Sequence, residues 1–441
     1  MAVKVGFISL GCPKNQVDSE MMLSKLVGAG YEITDEFYEA DIVVVNTCAF
    51  IEDAKKEAIE NILEMAELKK EGAVKKIVVM GCLPERYKEE IRGEIPEADA
   101  VAGLGDNDNI VGICESVMRD EIYEKFPDIS AMPLSGERLP TTPPYWAYLK
   151  IAEGCSNNCS YCVIPKIRGP YRSRPPEELL AEAGKLAADG VKELILIAQD
   201  TTGYGEDLHS EKKLPELLQK LAGIENIKWI RLMYCYPDRI TDELLDVMRE
   251  NDKILPYIDL PFQHCDGKIL KAMNRKTESG KPLEIIEKIR EKLPGAVIRT
   301  TLMTGFPGEG DEEFENLCDF VREAKFDRLG CFAYSREEGT EAYDMENRVE
   351  DDIKARRGEI IMDIQYGIFK EKQEARIGET VESIVEGYDK YSDSYEGRAW
   401  TDAPEIDGRI KFTSKNRLDD GDIVKVRIFD ALEYDLIGEA I

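Results

Sequence analysis

Glu153-Gly154-Cys155-Ser156-Asn157-Asn158-Cys159-Ser160-Tyr161-Cys162 places three cysteines within eight residues. Immediately before it runs Tyr145-Trp146-Ala147-Tyr148-Leu149-Lys150-Ile151-Ala152, whose aromatic and apolar residues read as a buried strand. The cysteine loop therefore leaves the C-terminal end of a strand, the end at which barrel and open α/β enzymes carry their active sites. Three thiolates at this spacing can hold three irons of a 4Fe–4S cluster and leave the fourth iron open to a small molecule. Zinc would want a fourth ligand, for which the chain offers only His209 and His264 and no second Cys pair close by. A disulfide framework fits poorly, because the cysteines number 11, an odd count, and nothing resembles a secretion signal. The spacing favours the cluster.

Beyond the loop, strand-like runs at 193–198, 227–234, 257–260, 296–303 and 328–334 alternate with helical patterns. With the first strand they make six, a partial (β/α)6 barrel over residues 145–375. Polar residues gather where these strands end: Gln199-Asp200-Thr201, Gln263-His264 and Thr304-Gly305-Phe306-Pro307-Gly308-Glu309. The glycines in the last of these allow a ligand to approach the backbone closely; the competing reading of each is a loop cap. Lys166-Ile167-Arg168-Gly169-Pro170-Tyr171-Arg172-Ser173-Arg174 is a dense basic patch able to meet a carboxylate or a phosphate. His264 reads as a ligand contact or a packed residue.

Upstream, residues 1–128 carry short β-branched runs at 4–10, 41–46 and 76–80, separated by helical patterns that end at Gly28 and near Lys70. Strand, helix, strand, helix, strand reads as a doubly wound parallel sheet. Cys12, Cys48 and Cys82 each follow one of these strands, 36 and 34 residues apart, one βα unit each. In a parallel sheet those three ends point the same way, so the three thiols converge on one edge. The competing reading is three inert core cysteines. Three strand-end placements favour a second 4Fe–4S cluster, again with an open iron. Cys114, Cys235, Cys265, Cys318 and Cys331 show no such spacing and read as core or loop residues.

A Ser-, Pro- and Gly-rich stretch, 129–144, reads as a linker. After a charged helical pattern at 350–376, residues 376–441 break into five short strands with Gly and Asp turns, an OB-like antiparallel β-barrel. With 58 basic and 88 acidic side chains the whole chain stands at −30, and the tail holds nine Lys/Arg against sixteen Asp/Glu. Such a field opposes direct nucleic-acid binding and attracts a basic partner. No apolar run reaches membrane-spanning length, and unpaired cysteines suit a reducing cytoplasm.

The spacing C-x3-C-x2-C after a first barrel strand resembles the radical S-adenosylmethionine (SAM) superfamily. There SAM chelates the open iron and is cleaved to a 5′-deoxyadenosyl radical that abstracts hydrogen from carbon. The resemblance implies SAM contacts at Gln199, Asp200, Thr304 and Gly305, and an adenine contact at Tyr161. Over its full length the chain resembles the methylthiotransferases, whose tail barrel is TRAM-like. Gly11-Cys12-Pro13-Lys14-Asn15, Thr47-Cys48-Ala49-Phe50-Ile51-Glu52-Asp53-Ala54-Lys55, Ala198-Gln199-Asp200-Thr201-Thr202 and Tyr334-Ser335-Arg336-Glu337-Glu338-Gly339-Thr340 resemble the branch that modifies an aspartate β-carbon in a basic small-subunit ribosomal protein. The alternatives are the branch acting on adenosine in tRNA, and a non-catalytic iron–sulfur scaffold or electron carrier. The resemblance implies metal ligands Cys12, Cys48 and Cys82 for one 4Fe–4S cluster and Cys155, Cys159 and Cys162 for the other, with SAM and an electron donor as further requirements.

Overall fold

Ile42–Thr47 is apolar through nearly its whole length and every residue in it is buried, which is how a central strand of a parallel sheet must look when helices cover both faces. The computed structural model, which describes residues 2–209, 213–276 and 281–441, places it between Lys4–Ser9 and Lys76–Gly81 in a six-stranded sheet. Glu32–Thr34 flanks one side, and Ala100–Ala102 and Tyr123–Lys125 the other, every neighbouring pair being parallel. The chain leaves Lys4–Ser9 for one edge and then crosses to the other side, so strand order reverses between Lys4–Ser9 and Ile42–Thr47. In open α/β sheets ligands bind outside the strand ends at such a reversal.

The central sheet runs in chain order through Trp146–Lys150, Glu193–Ile197, Trp229–Leu232, Ile254–Asp259, Val297–Thr304 and Arg328–Ala333, again all parallel. It does not close: Arg328–Ala333 is an edge, half-exposed along its length, whereas Trp146–Lys150, Glu193–Ile197 and Trp229–Leu232 are wholly buried. The long helix Asp351–Ala375 packs on that edge strand. Inside the curve of the sheet, Trp146, Tyr148, Trp229 and Tyr257 form one core with Ile384 and Ala403 of the C-terminal barrel, which therefore plugs the bottom of the partial barrel.

The C-terminal barrel is closed, in the order Thr380–Asp389, Ser394–Ala399, Ile410–Thr413, Leu436–Ala440, Ile423–Ala431. Four of its contacts are antiparallel, as the sequence suggests, and the one between Ile410–Thr413 and Leu436–Ala440 is parallel. Five is odd, and directions cannot alternate all the way round a ring of five. Among the described residues no helix is long and apolar enough to cross a membrane.

Candidate active site

Three strand ends of the N-terminal sheet are knitted together before any cysteine is considered. The Asn15 side chain donates to the carbonyls of Leu10 at 2.7 Å, Asn46 at 3.3 Å and Thr47 at 3.4 Å. Thr47 Oγ1 donates to the Met80 carbonyl at 2.6 Å and accepts from Leu83 N at 3.2 Å. Cys12, which caps the helix Pro13–Gly28, Cys48, and Cys82, the first residue of the helix Cys82–Arg86, are thereby brought to one edge. Gly11 has φ +93, and a Cβ there would stand 2.8 Å from Cys48 Sγ, so only glycine lets the Cys12 turn close on Cys48.

The second triplet is held as tightly. Ala152–Glu153 pairs antiparallel with Arg172–Ser173, fixing both ends of the loop between them. Gly154 has φ +71, and a Cβ there would meet the Pro170 carbonyl oxygen at 2.2 Å. Ser160 N donates to the Met273 carbonyl at 3.0 Å, and Asn157 Nδ2 to Asp200 Oδ2 at 2.8 Å.

Both triplets line one cavity of about 550 Å³, together with Tyr161, Gln199 and Asp200. Gln199 Nε2 is buried there with no hydrogen-bond partner among the described residues, a donor aimed at something the polypeptide does not supply. Asp200 is otherwise occupied: it accepts from Asn157, from Thr202 Oγ1 at 2.6 Å and from Gly203 N at 3.2 Å, and pairs with Arg239 at 3.2 Å. Tyr161 OH accepts from Arg275 Nη1 at 3.3 Å. Thr304 and Gly305 are not brought to the cavity wall. Thr304 Oγ1 donates to the Lys354 carbonyl at 3.0 Å, and Gly305 N to Glu309 Oε2 at 3.0 Å. His264 is packed, its Nδ1 accepting from Asp266 N at 3.0 Å.

Cys235 joins the wall, buried, where the sequence suggests a core or loop residue. Arg275 and Tyr236 join it too, the guanidinium 4.4 Å from the ring centroid. Arg275 lies outside any spaced motif, so nothing in the sequence signals it. The arginines of the basic patch are engaged by the protein itself, while Lys166 is exposed. Arg174 donates to the Lys150 carbonyl at 2.9 Å and Arg172 to the Ser130 carbonyl at 2.9 Å, while Arg168 is buried. A larger cavity, about 810 Å³, lies where Arg328–Ala333, the long helix and the C-terminal barrel meet, and holds none of the predicted site residues.

The donor set fits clusters. All six cysteines are free thiols. Among the described residues no three His, Cys, Asp or Glu side chains are drawn in to the spacing of a single metal ion. Burial pushes the Cys155 thiol up to about 11 and Cys82 and Cys162 up to about 12, with the Arg168 charge working against burial at Cys82. At Cys12 burial also acts upward, but Lys14 and Arg168, with the Asn15 and Lys14 backbone N–H groups, outweigh it and the net shift is down. Backbone N–H groups also act against burial at Cys48, Cys155 and Cys162.

Comparison with known proteins agrees with this layout. Residues 4–103 match the family described as "Uncharacterized protein family UPF0004", residues 149–321 the "Radical SAM superfamily" and residues 377–441 the "TRAM domain". The chain is 51% identical over 440 residues to the ribosomal protein uS12 methylthiotransferase RimO of Caldanaerobacter subterraneus, covering 99% of each. It is 48% identical to that of Clostridioides difficile, covering 100% of this chain and 99% of the relative. Among solved structures, the radical S-adenosylmethionine methyltransferase TsrM from Kitasatospora setae shares the fold with a TM-score of 0.59 at 14% identity, over 78% of this chain and 77% of that one.

Proposed function

The chain belongs to the RimO family of ribosomal protein methylthiotransferases, and on that premise we propose that it adds a methylthio group to the β-carbon of an aspartate in ribosomal protein uS12. It is a radical SAM methylthiotransferase whose cofactors are SAM and two 4Fe–4S clusters. Cys155, Cys159 and Cys162 would hold one cluster and Cys12, Cys48 and Cys82 the other. Bound there, clusters and SAM supply a hydrogen-abstracting carbon radical together with the sulfur and methyl group to be transferred.

One observation carries this reading: two triplets from separate sheets line a single cavity of about 550 Å³. Hydrogen abstraction and sulfur insertion act on the same carbon, so one pocket must face both. This chain's own residues bind, orient and exclude water. Gln199 Nε2 offers a free donor to SAM. Asp200, from its place on the cavity wall, fixes the cysteine loop through Asn157. Lys14, buried, sets its ammonium 3.4 Å from the Tyr234 ring centroid and closes the cavity between the N-terminal and central sheets.

The partner is a basic protein. At a net charge of −30, with a tail of nine basic and sixteen acidic residues, the chain steers cationic surfaces toward itself and phosphate backbones away. The reaction also requires an electron donor, and the setting is the cytoplasm.

The test is anaerobic. Protein reconstituted with iron and sulfide, then given SAM and a reductant, is offered uS12 or tRNA, and the products are read by mass. A methylthio gain on an aspartate of uS12 is the expected result. Modification of tRNA instead, with binding that falls steeply with salt, overturns the assignment.

A further inference from the structure

Between the two cysteine triplets lie four buried charges. Asp18 comes from the helix Pro13–Gly28, Lys150 and Glu153 flank the end of the first central strand, and Arg168 ends the short helix Ile164–Arg168. None is more than 1% exposed. Arg168 Nη1 donates to Glu153 Oε2 at 2.9 Å, and Nη2 to Asp18 Oδ2 at 3.0 Å and Asn15 Oδ1 at 3.2 Å. Lys150 Nζ donates to Glu153 Oε2 at 3.1 Å and to Asp18. Two cations and two anions leave the group neutral. As a means of joining two domains it gains little, because desolvation offsets most of the attraction.

One contact lies outside that account. Arg168 Nη2 also stands 3.7 Å from Cys82 Sγ, within reach of a hydrogen bond to sulfur. Glu153, which anchors the same guanidinium, accepts through Oε1 from Gly154 N at 2.9 Å, one residue before Cys155. A single arginine of the central domain therefore touches a thiol of the N-terminal triplet and is tied to the start of the other triplet's loop.

We propose that Arg168 is a positioning residue for the cluster held by Cys12, Cys48 and Cys82, and that its N–H donation to the Cys82 sulfur raises that cluster's reduction potential. The inference rests on the reading of those three cysteines as ligands. One-electron reduction adds negative charge to the cluster. A donor and a positive charge at a ligand sulfur stabilise the reduced form, and hydrogen bonds to sulfur are among the levers that set such potentials. Burial leaves the effect unscreened by water.

The test uses the full chain carrying Cys155→Ala, Cys159→Ala and Cys162→Ala, so that only the N-terminal cluster can assemble. Iron and sulfide are assayed, and the midpoint potential is read by redox titration followed by electron paramagnetic resonance. Adding Arg168→Gln lowers the midpoint. Arg168→Lys, which keeps the charge and loses the forked donation, lowers it by less, and carries the test alone if the Gln variant does not fold. Lys150→Met removes an equally buried cation that has no contact with Cys82 among the described residues, and leaves the midpoint near that of the parent. Equal shifts for Lys150→Met and Arg168→Gln mean a general loosening of the domain junction and overturn the proposal, as does an unmoved potential in both Arg168 variants. A parent that takes up no cluster iron fails at the ligand assignment instead, and takes this inference down with it.

Discussion

Arg398 of the C-terminal barrel donates through Nη2 to Glu193 Oε2 at 2.6 Å, while Arg231 Nε donates to the other oxygen of the same carboxylate at 2.7 Å. All three side chains are buried. One carboxylate at the start of a central strand thus joins an arginine of its own sheet to one of the barrel beneath. Glu193→Ala leaves two guanidinium groups facing each other in a dry junction. The expected loss is about 3–5 kcal/mol in denaturant unfolding of the apoprotein, the range for breaking a buried pair. A loss below about 1 kcal/mol would mean that water enters the junction.

Acid acts on Glu153. Burial alone would push its carboxyl up, but the Arg168 and Lys150 charges and the Gly154 N–H outweigh it and hold the group at about 2. A depressed carboxylate contributes stability that is present above its unfolded value of 4.5 and is lost as pH falls through about 2. Glu153→Gln therefore lowers the melting temperature at neutral pH and flattens its decline between these two values. Parallel acid limbs in parent and variant would remove Glu153 from the account of acid unfolding.

Much of this was readable from the chain, because a central parallel strand cannot hide. Ile42–Thr47 and Lys76–Gly81 are continuous apolar runs, and a cysteine just after each is a position in space once the sheet is parallel. Glu32–Thr34, Ala100–Ala102 and Tyr123–Lys125 were not readable, since three residues make no pattern. Strand ends marked some members of the site and not others. Gln199 faces the cavity, while Thr304 and Gly305 turn onto Lys354 of the long helix, a packing choice made by residues fifty positions away. Arg168 stood out as a cation, but its inward aim depends on Asp18, which is 150 residues distant.

On the proposed ligand assignment the two triplets divide the reaction between them. Cys155→Ala stops release of 5′-deoxyadenosine from SAM. Cys48→Ala leaves that release intact and stops methylthio transfer. Chromatography of the nucleoside beside mass analysis of the protein product separates the two effects. Loss of 5′-deoxyadenosine in the Cys48 variant would show that the N-terminal site is needed for SAM cleavage as well.

Gly11 tests the geometry of the N-terminal triplet without touching a thiol. With φ +93 and a Cβ position 2.8 Å from Cys48 Sγ, Gly11→Ala must push the Cys12 turn away from Cys48. The reconstituted variant is expected to lose roughly half its cluster iron, keeping the share bound at Cys155, Cys159 and Cys162. Full iron content would show that the turn can re-form around a side chain.

Gln199 separates a ligand contact from a structural residue. Its buried Nε2 has no partner among the described residues, so replacing it breaks no hydrogen bond to the scaffold. Gln199→Leu replaces the amide with an apolar group of similar size. The unfolding midpoint of the apoprotein should hold or rise. SAM affinity should fall about tenfold, the equivalent of one hydrogen bond worth about 1.4 kcal/mol, in equilibrium dialysis against the reconstituted protein. A midpoint that falls while SAM affinity is unchanged would make Gln199 part of the scaffold and leave the recognition of SAM to other groups lining the cavity.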